Sequence, residues 1–170
     1  MGRDVKEFVI RRVKESDASS ITQIYNYYIK ETTVTFEIEP LTVDNMLQRI
    51  KGISAKYPYF VAVENDNIVG YCYVHPWKER AAFCHTFEVT IYIDSTHKEK
   101  GLGKQMMEHL VEACKNMEEC HVLIASITEE NKVSLAFHKR MGFEEASLFK
   151  KVGYKFDRWL DVIDMERIIK

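Results

Sequence analysis

The chain has 170 residues, 46% hydrophobic and 29% charged, which suits one domain with a substantial core and is short for two. A formal net charge of -2 at pH 7 separates it from nucleic-acid binders, which carry a basic surplus. No apolar run approaches the roughly 18 residues needed to span a bilayer, and the opening MGRDVKEFVI lacks the apolar centre of a signal peptide. The reading is a cytoplasmic protein with neither nucleic acid nor membrane as a partner.

In chain order, EFVIRRV (7–13) reads as a first strand. Ser16 and Asp17 then supply N-cap chemistry for a helix whose apolar positions Ile21, Ile24, Tyr25, Tyr28 and Ile29 have helical spacing. TVTFEIEP is a short extended piece ending at Pro40, after which Thr42 caps a second helix through Met46, Leu47 and Ile50. Two apolar runs flank Asn65-Asp66-Asn67, residues that tolerate tight-turn geometry, and predict a hairpin. AFCHTFEVTIYI predicts a long strand over 82–93. Beyond a glycine loop, Leu102, Met106, Leu110, Cys114 and Met117 share one helical face. HVLIASI is a buried strand by composition. NKVSLAFHKRMGF is a helix opening near Asn131 and closed by Gly142, and the remainder predicts two final strands. The order β-α-α-β-β-β-α-β-α-β-β describes an α/β (α+β) domain, with helices packed on a mixed sheet.

The four cysteines, Cys72, Cys84, Cys114 and Cys120, show no CxxC spacing and are expected to be reduced and mostly buried. Cys84-His85 and Cys120-His121 raise the question of zinc. Adjacent residues in a strand point to opposite faces, so each pair offers one ligand at most. No metal is expected.

The stretch HKEKGLGKQMMEHL (97–110) places glycines and lysines at a helix start. Such a turn presents free backbone N–H groups at the positive end of the helix dipole, a site for an anion. The Walker pattern fails because Gln105 stands where the magnesium-binding hydroxyl belongs. The dinucleotide fingerprint fails because Met106 replaces its third glycine. These failures disfavour a nucleotide phosphotransferase.

Lys98-Glu99-Lys100-Gly101-Leu102-Gly103 resembles the pyrophosphate loop of the GNAT N-acetyltransferases, with Lys98 where Gln or Arg is usual. NKVSLAFHKRMGF resembles that family's second signature. TVTFEIEP, PWKERAAF, FEVTIYI and VGYKFDRWLDV extend the resemblance to the phosphinothricin and methionine-sulfoximine branch. The resemblance implies a mostly antiparallel sheet of about seven strands flanked by about four helices, acetyl-CoA as co-substrate, and a homodimer.

It also implies roles. Glu88, on the polar strand face with Thr86, Thr90 and Tyr92, matches the general base, although a solvated strand carboxylate would look the same. The base is needed because an ammonium must lose a proton before it attacks a thioester. Backbone groups of Ile91, Tyr92 and Ile93 would hold the pantetheine, and those from Glu99 through Lys104 (Lys100, Gly101, Leu102, Gly103) the pyrophosphate. Asn131 and Ser134 open the next helix against the cofactor, Asn131 being equally a plain N-cap. His138 stands where many members place a tyrosine acid that protonates the departing thiolate; a packed helical histidine fits equally. Lys78 and Arg80 offer donors to an acidic acceptor, or simply face solvent, and Phe36, Tyr73 and Tyr154 are candidate pocket walls. The expected reaction is direct acetylation of a small amino-acid-like amine. Other amines (a protein N-terminus, a polyamine) and a non-catalytic acyl-CoA-binding module remain alternatives, and a carboxylate acting as base at position 88 separates the enzymes from the module.

Overall fold

A computed structural model describes residues 8–97 and 101–170. In chain order the elements are β1 (Val9–Arg12), α1 (Ala18–Glu31), α2 (Val43–Ser54), β2 (Tyr59–Glu64), β3 (Asn67–Pro76), β4 (Thr86–Ile93), α3 (Leu102–Lys115), β5 (Val122–Thr128), α4 (Lys132–Arg140), β6 (Glu144–Lys155) and β7 (Arg158–Ile168). The strands form one seven-stranded sheet in the order β1-β2-β3-β4-β5-β7-β6. This is the mixed, mostly antiparallel sheet with four helices that the sequence predicts.

Helices cover both faces. On one, Leu102, Met106, Leu110 and Cys114 of α3 are sealed against Phe60, Cys72, Phe87 and Leu123, joined by Met141 and Phe143 beyond α4. On the other, Ile21, Tyr28 and Ile29 of α1 and Met46 and Ile50 of α2 pack on Tyr59, Val61 and Tyr71. Each such side chain contributes about 1.5–3 kcal/mol by leaving water, so both faces are firmly held. Alternation along β4 therefore sends Phe87 and Val89 to the α3 side, while Tyr92 packs with the α1–α2 cluster.

Between β4 and β5 lies a fork. These neighbours are parallel and pair only at Thr86↔Val122, Phe87↔Leu123 and Glu88↔Ile124. Beyond Glu88, β4 stays paired with β3 as far as Ile93↔Gly70, and β5 stays paired with β7 as far as Thr128↔Val162. The two strands part after Glu88, leaving backbone groups on their facing edges for something other than a strand.

Several local expectations are corrected. The strand predicted over 82–93 begins at Thr86, because Ala81–Phe83 form a 3-10 turn held by Phe83 N–H to Arg80 O (2.9 Å) and Cys84 N–H to Ala81 O (3.1 Å). Phe83 turns edge-on to Trp77 at 5.5 Å instead of entering the sheet. Asp17 does not cap α1 with its side chain. Its carboxylate accepts from Lys14 N–H (2.7 Å) and from both terminal nitrogens of Arg11 (2.8 and 3.0 Å), fixing the 3-10 turn Glu15–Asp17 that leads into the helix. The first strand is Val9–Arg12, and Glu7 lies outside the described residues. TVTFEIEP, expected to be extended, joins no strand and bends at Thr33–Thr35 and again at Glu39. Thr42 does cap α2, accepting from Asn45 N–H at 3.1 Å. Asn65 and Asp66 both adopt positive φ in the β2–β3 turn.

All four cysteines are free, three of them buried and Cys84 exposed. Among the described residues no group of three or more His, Cys, Asp or Glu side chains is placed to hold a metal ion, and no helix is long and apolar enough to cross a membrane.

Candidate active site

Gly101 takes a left-handed φ of 73° and turns the chain into α3. A Cβ on Gly103 would lie 3.3 Å from Ile93 Cδ1 and 3.4 Å from Phe137 Cε2. The first turn of α3 is thereby brought against the end of β4 and the flank of α4. Leu102 anchors this turn in the core at 1% exposure, leaving its backbone at the helix start. Lys98, Glu99 and Lys100 lie outside the described residues.

Gly101, Gly103 and Lys104 line a groove of about 1020 Å³ that runs past Ile91, Tyr92 and Ile93 to α4. The hydroxyl of Tyr28 donates to the carbonyl of Ile93, fixing that end of β4 from α1. A second cavity of about 390 Å³ lies on the α1 side and is lined by Tyr25, Phe36, Glu37, Tyr73, His75 and Glu88, among others. Val34, Ile91, Tyr92, Asn131, Ser134 and His138 line both cavities. The cavities therefore meet across the fork, with the helix start at one end and the carboxylate of Glu88 at the other.

Asn131 caps α4, its Oδ1 accepting from Ser134 N–H at 3.2 Å. Besides capping the helix, Asn131 lines both cavities. His138 is 4% exposed, edge-on to Phe137 and Phe143. Its Nδ1 lies 2.9 Å from the carbonyl oxygen of Ser134 and 3.2 Å from the Ser134 hydroxyl; the tautomer protonated on Nδ1 donates to the carbonyl. Burial lowers the pKa of His138, and the Ser134 carbonyl opposes this only partly. In that tautomer a neutral ring presents Nε2 as an acceptor.

Glu88 is half-buried on β4 and faces His75 across the β3–β4 pair. Burial raises its pKa; His75 counters this, and Asp164 adds to it. Among the described residues no hydrogen bond holds its carboxylate. It is a desolvated carboxylate free to change protonation state, as a base requires.

The second cavity's wall is rigid. Arg49 of α2 grips Glu37 with two bonds (2.8 and 2.6 Å), and the Tyr25 hydroxyl donates to Glu37 while lying 2.9 Å from Thr35 Oγ1. The Arg49 bonds hold the Glu37 carboxyl below its usual range, against burial. Lys155 Nζ donates to Thr35 O at 2.9 Å, tying β6 to the same segment. Phe36 and Tyr73 line this second cavity. Three other candidates are not brought to either cavity. Lys78 lies 4.0 Å from the centre of the Trp77 ring, Arg80 is exposed, and Tyr154 is 52% exposed against Trp159. Tyr25, Glu37 and His75 were not singled out as site residues, because their convergence is tertiary and no spacing announces it.

The profile of the acetyltransferase (GNAT) domain matches residues 10–163. The chain belongs to the GNAT acetyltransferase family. A methionine sulfoximine/methionine sulfone acetyltransferase of Salmonella typhimurium is 30% identical, the match covering 92% of each chain. A phosphinothricin N-acetyltransferase of Alcaligenes faecalis is 32% identical over 93% of this chain and 81% of its own. A phosphinothricin acetyltransferase structure from Sinorhizobium meliloti, in complex with acetyl-CoA, superposes with a TM-score of 0.91 at 32% identity, covering 95% of this chain and 88% of that one. As a GNAT enzyme, the protein is an acetyl-CoA-dependent N-acyltransferase.

Proposed function

We propose that the enzyme acetylates the α-amine of a small amino-acid-like acceptor, with acetyl-CoA in the larger groove and the acceptor in the smaller cavity. The supporting observation is that the two cavities meet at the β4–β5 fork and share His138 and Ser134, with Glu88 lining the acceptor side. The pantetheine would lie along the unpaired edge of β4 at Ile91–Ile93, and the pyrophosphate at the α3 start. At about 390 Å³ the acceptor cavity has the scale of a small-molecule site. Glu88 faces the ammonium end.

The protons balance without His138 as an acid. Glu88 takes one from the ammonium and passes it to solvent. The amine nitrogen attacks the thioester carbonyl, the C–S bond breaks, and the second amine proton goes to the departing thiolate. Nε2 of neutral His138 is suited to orient a donor, such as the attacking N–H. The catalytic unit is proposed to be a homodimer. Exposed Val152, Tyr154, Phe156 and Trp159 on the β6–β7 hairpin supply an apolar surface for it, and sedimentation as a 20 kDa species would contradict it.

A panel of amines incubated with acetyl-CoA and read by free-thiol release tests the reaction. Turnover confined to amino-acid-like amines supports the proposal. Turnover only with polyamines or peptide N-termini removes the acceptor assignment.

A further inference from the structure

Beyond the pyrophosphate turn, the larger groove has a cationic end. α4 is capped by Asn131, beside the fork, and its nine residues, Lys132–Arg140, end about 13 Å away by helical rise. Arg140 and Arg167 of β7 both line this far end, and Lys104 contributes from α3. Among the described residues that line the groove the one acidic side chain, Glu108, is 3.7 Å from Lys104. Among the described residues no carboxylate pairs with either arginine.

Arg167 is held in place. Its NH1 donates to the Met141 carbonyl at 2.6 Å, and its side chain lies across Gly142, where a Cβ would come within 3.4 Å of Nε. Gly142 sits at φ 85°, so the chain turns here in a conformation that favours glycine and leaves room for the guanidinium. Two arginines on a cavity wall without carboxylate partners create a field that favours an anion, and a guanidinium fork matches a phosphate.

We propose that Arg140 and Arg167, with Lys104, form a binding site for the 3′-phosphate of coenzyme A, making the enzyme selective for acetyl-CoA over acetyl-3′-dephospho-CoA. The inference rests on the donor assignment above and on the order of groups along the donor. Thioester and pantetheine occupy the fork and pyrophosphate the α3 turn, so the phosphorylated adenosine must leave by the end of α4. A phosphate monoester carries more than one negative charge at neutral pH, and the two arginines answer it.

The test compares Kd for acetyl-CoA and acetyl-3′-dephospho-CoA with the wild type, Arg140→Ala, Arg140→Lys and Arg167→Ala. The wild type should prefer acetyl-CoA by roughly 10- to 100-fold. Arg140→Ala should weaken acetyl-CoA about tenfold while leaving the dephospho compound within about twofold, and Arg140→Lys should recover part of the loss. Arg167→Ala should act the same way, and unchanged circular dichroism excludes a folding defect. Equal wild-type affinities for the two donors overturn the inference. So does an equal loss on both in Arg140→Ala, since the arginine would then serve the pyrophosphate. If the folded wild type binds neither donor, the donor assignment fails first, an outcome distinct from loss of selectivity.

Discussion

Replacing Glu88 by Gln keeps the side chain's size and removes its proton affinity. Among the described residues no hydrogen bond holds this carboxylate, so the substitution breaks no structural bond. Its effects on activity and stability should point in opposite directions. Positioned general bases contribute typically 10²- to 10⁴-fold, so kcat/KM should fall by that factor, about 3–5 kcal/mol of barrier, with acetyl-CoA affinity nearly unchanged. Burial raises the Glu88 pKa in the folded state, so ionisation is penalised there relative to the unfolded chain. Above the raised pKa the charged carboxylate costs stability; below the unfolded value, with both states protonated, it costs nothing.

Glu88→Gln should therefore melt no lower than the wild type at pH 7, and higher if the burial penalty dominates, with the difference vanishing in acid. Wild-type kcat/KM should decline as pH falls through the raised pKa, and the mutant should lack that limb. Thiol-release kinetics from pH 5 to 9, with thermal melts at the same pH values, provide both readouts. Near-normal turnover at pH 7 would refute the assignment of the base. A clearly lowered melting temperature there would show that the carboxylate is a structural partner.

Gly103→Val should push branched carbons toward Ile93 and Phe137, which already lie at 3.3 and 3.4 Å from a simple Cβ; acetyl-CoA Kd should rise at least tenfold in a folded protein, read by calorimetry. Asn131→Ala removes the cap on Ser134 N–H and should cost about 1 kcal/mol in denaturant unfolding, together with weaker acetyl-CoA binding if the residue also contacts the donor. Asp17→Asn weakens the contacts with Arg11 and Lys14 N–H, which hold the Asp17 pKa low although burial works against them. Its loss should be about 1–3 kcal/mol at pH 7, and the gap from wild type should close as pH falls through the depressed native pKa, below the ordinary aspartate value of about 3.9. His138→Gln should keep kcat within about tenfold with no basic limb removed, because in the proposed mechanism the neutral ring acts as an acceptor and not as the acid; a wild-type kcat that falls above neutral pH and becomes flat in the mutant would restore the acid role.

What the sequence made legible was what local periodicity encodes. Leu102, Met106, Leu110 and Cys114 fall on one face because a helix repeats every 3.6 residues, and that face is the buried one. Alternation in β4 separated Phe87 from Glu88 for the same kind of reason. Where a segment's fate depends on distant partners, the pattern misleads. Phe83 alternates correctly for a strand but packs on Trp77, so β4 starts later. Glu37 lies in a segment the family resemblance had marked, yet its place depends on Arg49, from another helix. Arg140 and Arg167 are 27 positions apart and share a groove only after α4 and β7 are packed. Tyr154, a candidate wall in the sequence, lies on the edge strand β6 and packs on Trp159, 52% exposed.

The fork explains why one carboxylate on one strand has this chemistry within reach. Glu88 is the last residue of β4 that pairs with β5. Up to that point the strand's backbone groups are satisfied on both sides, which holds the side chain at a fixed height. One step further the edge facing β5 opens, and Ile91–Ile93 have amide groups that a pantetheine chain can satisfy in place of a strand. A base placed earlier on β4 would be walled off by the continuous sheet; one placed much later would sit among the cofactor-binding residues. At the point of divergence Glu88 borders the smaller cavity, and burial there raises its pKa. In the proposed mechanism, the end of strand pairing thus sets both where Glu88 stands and where the thioester would approach it.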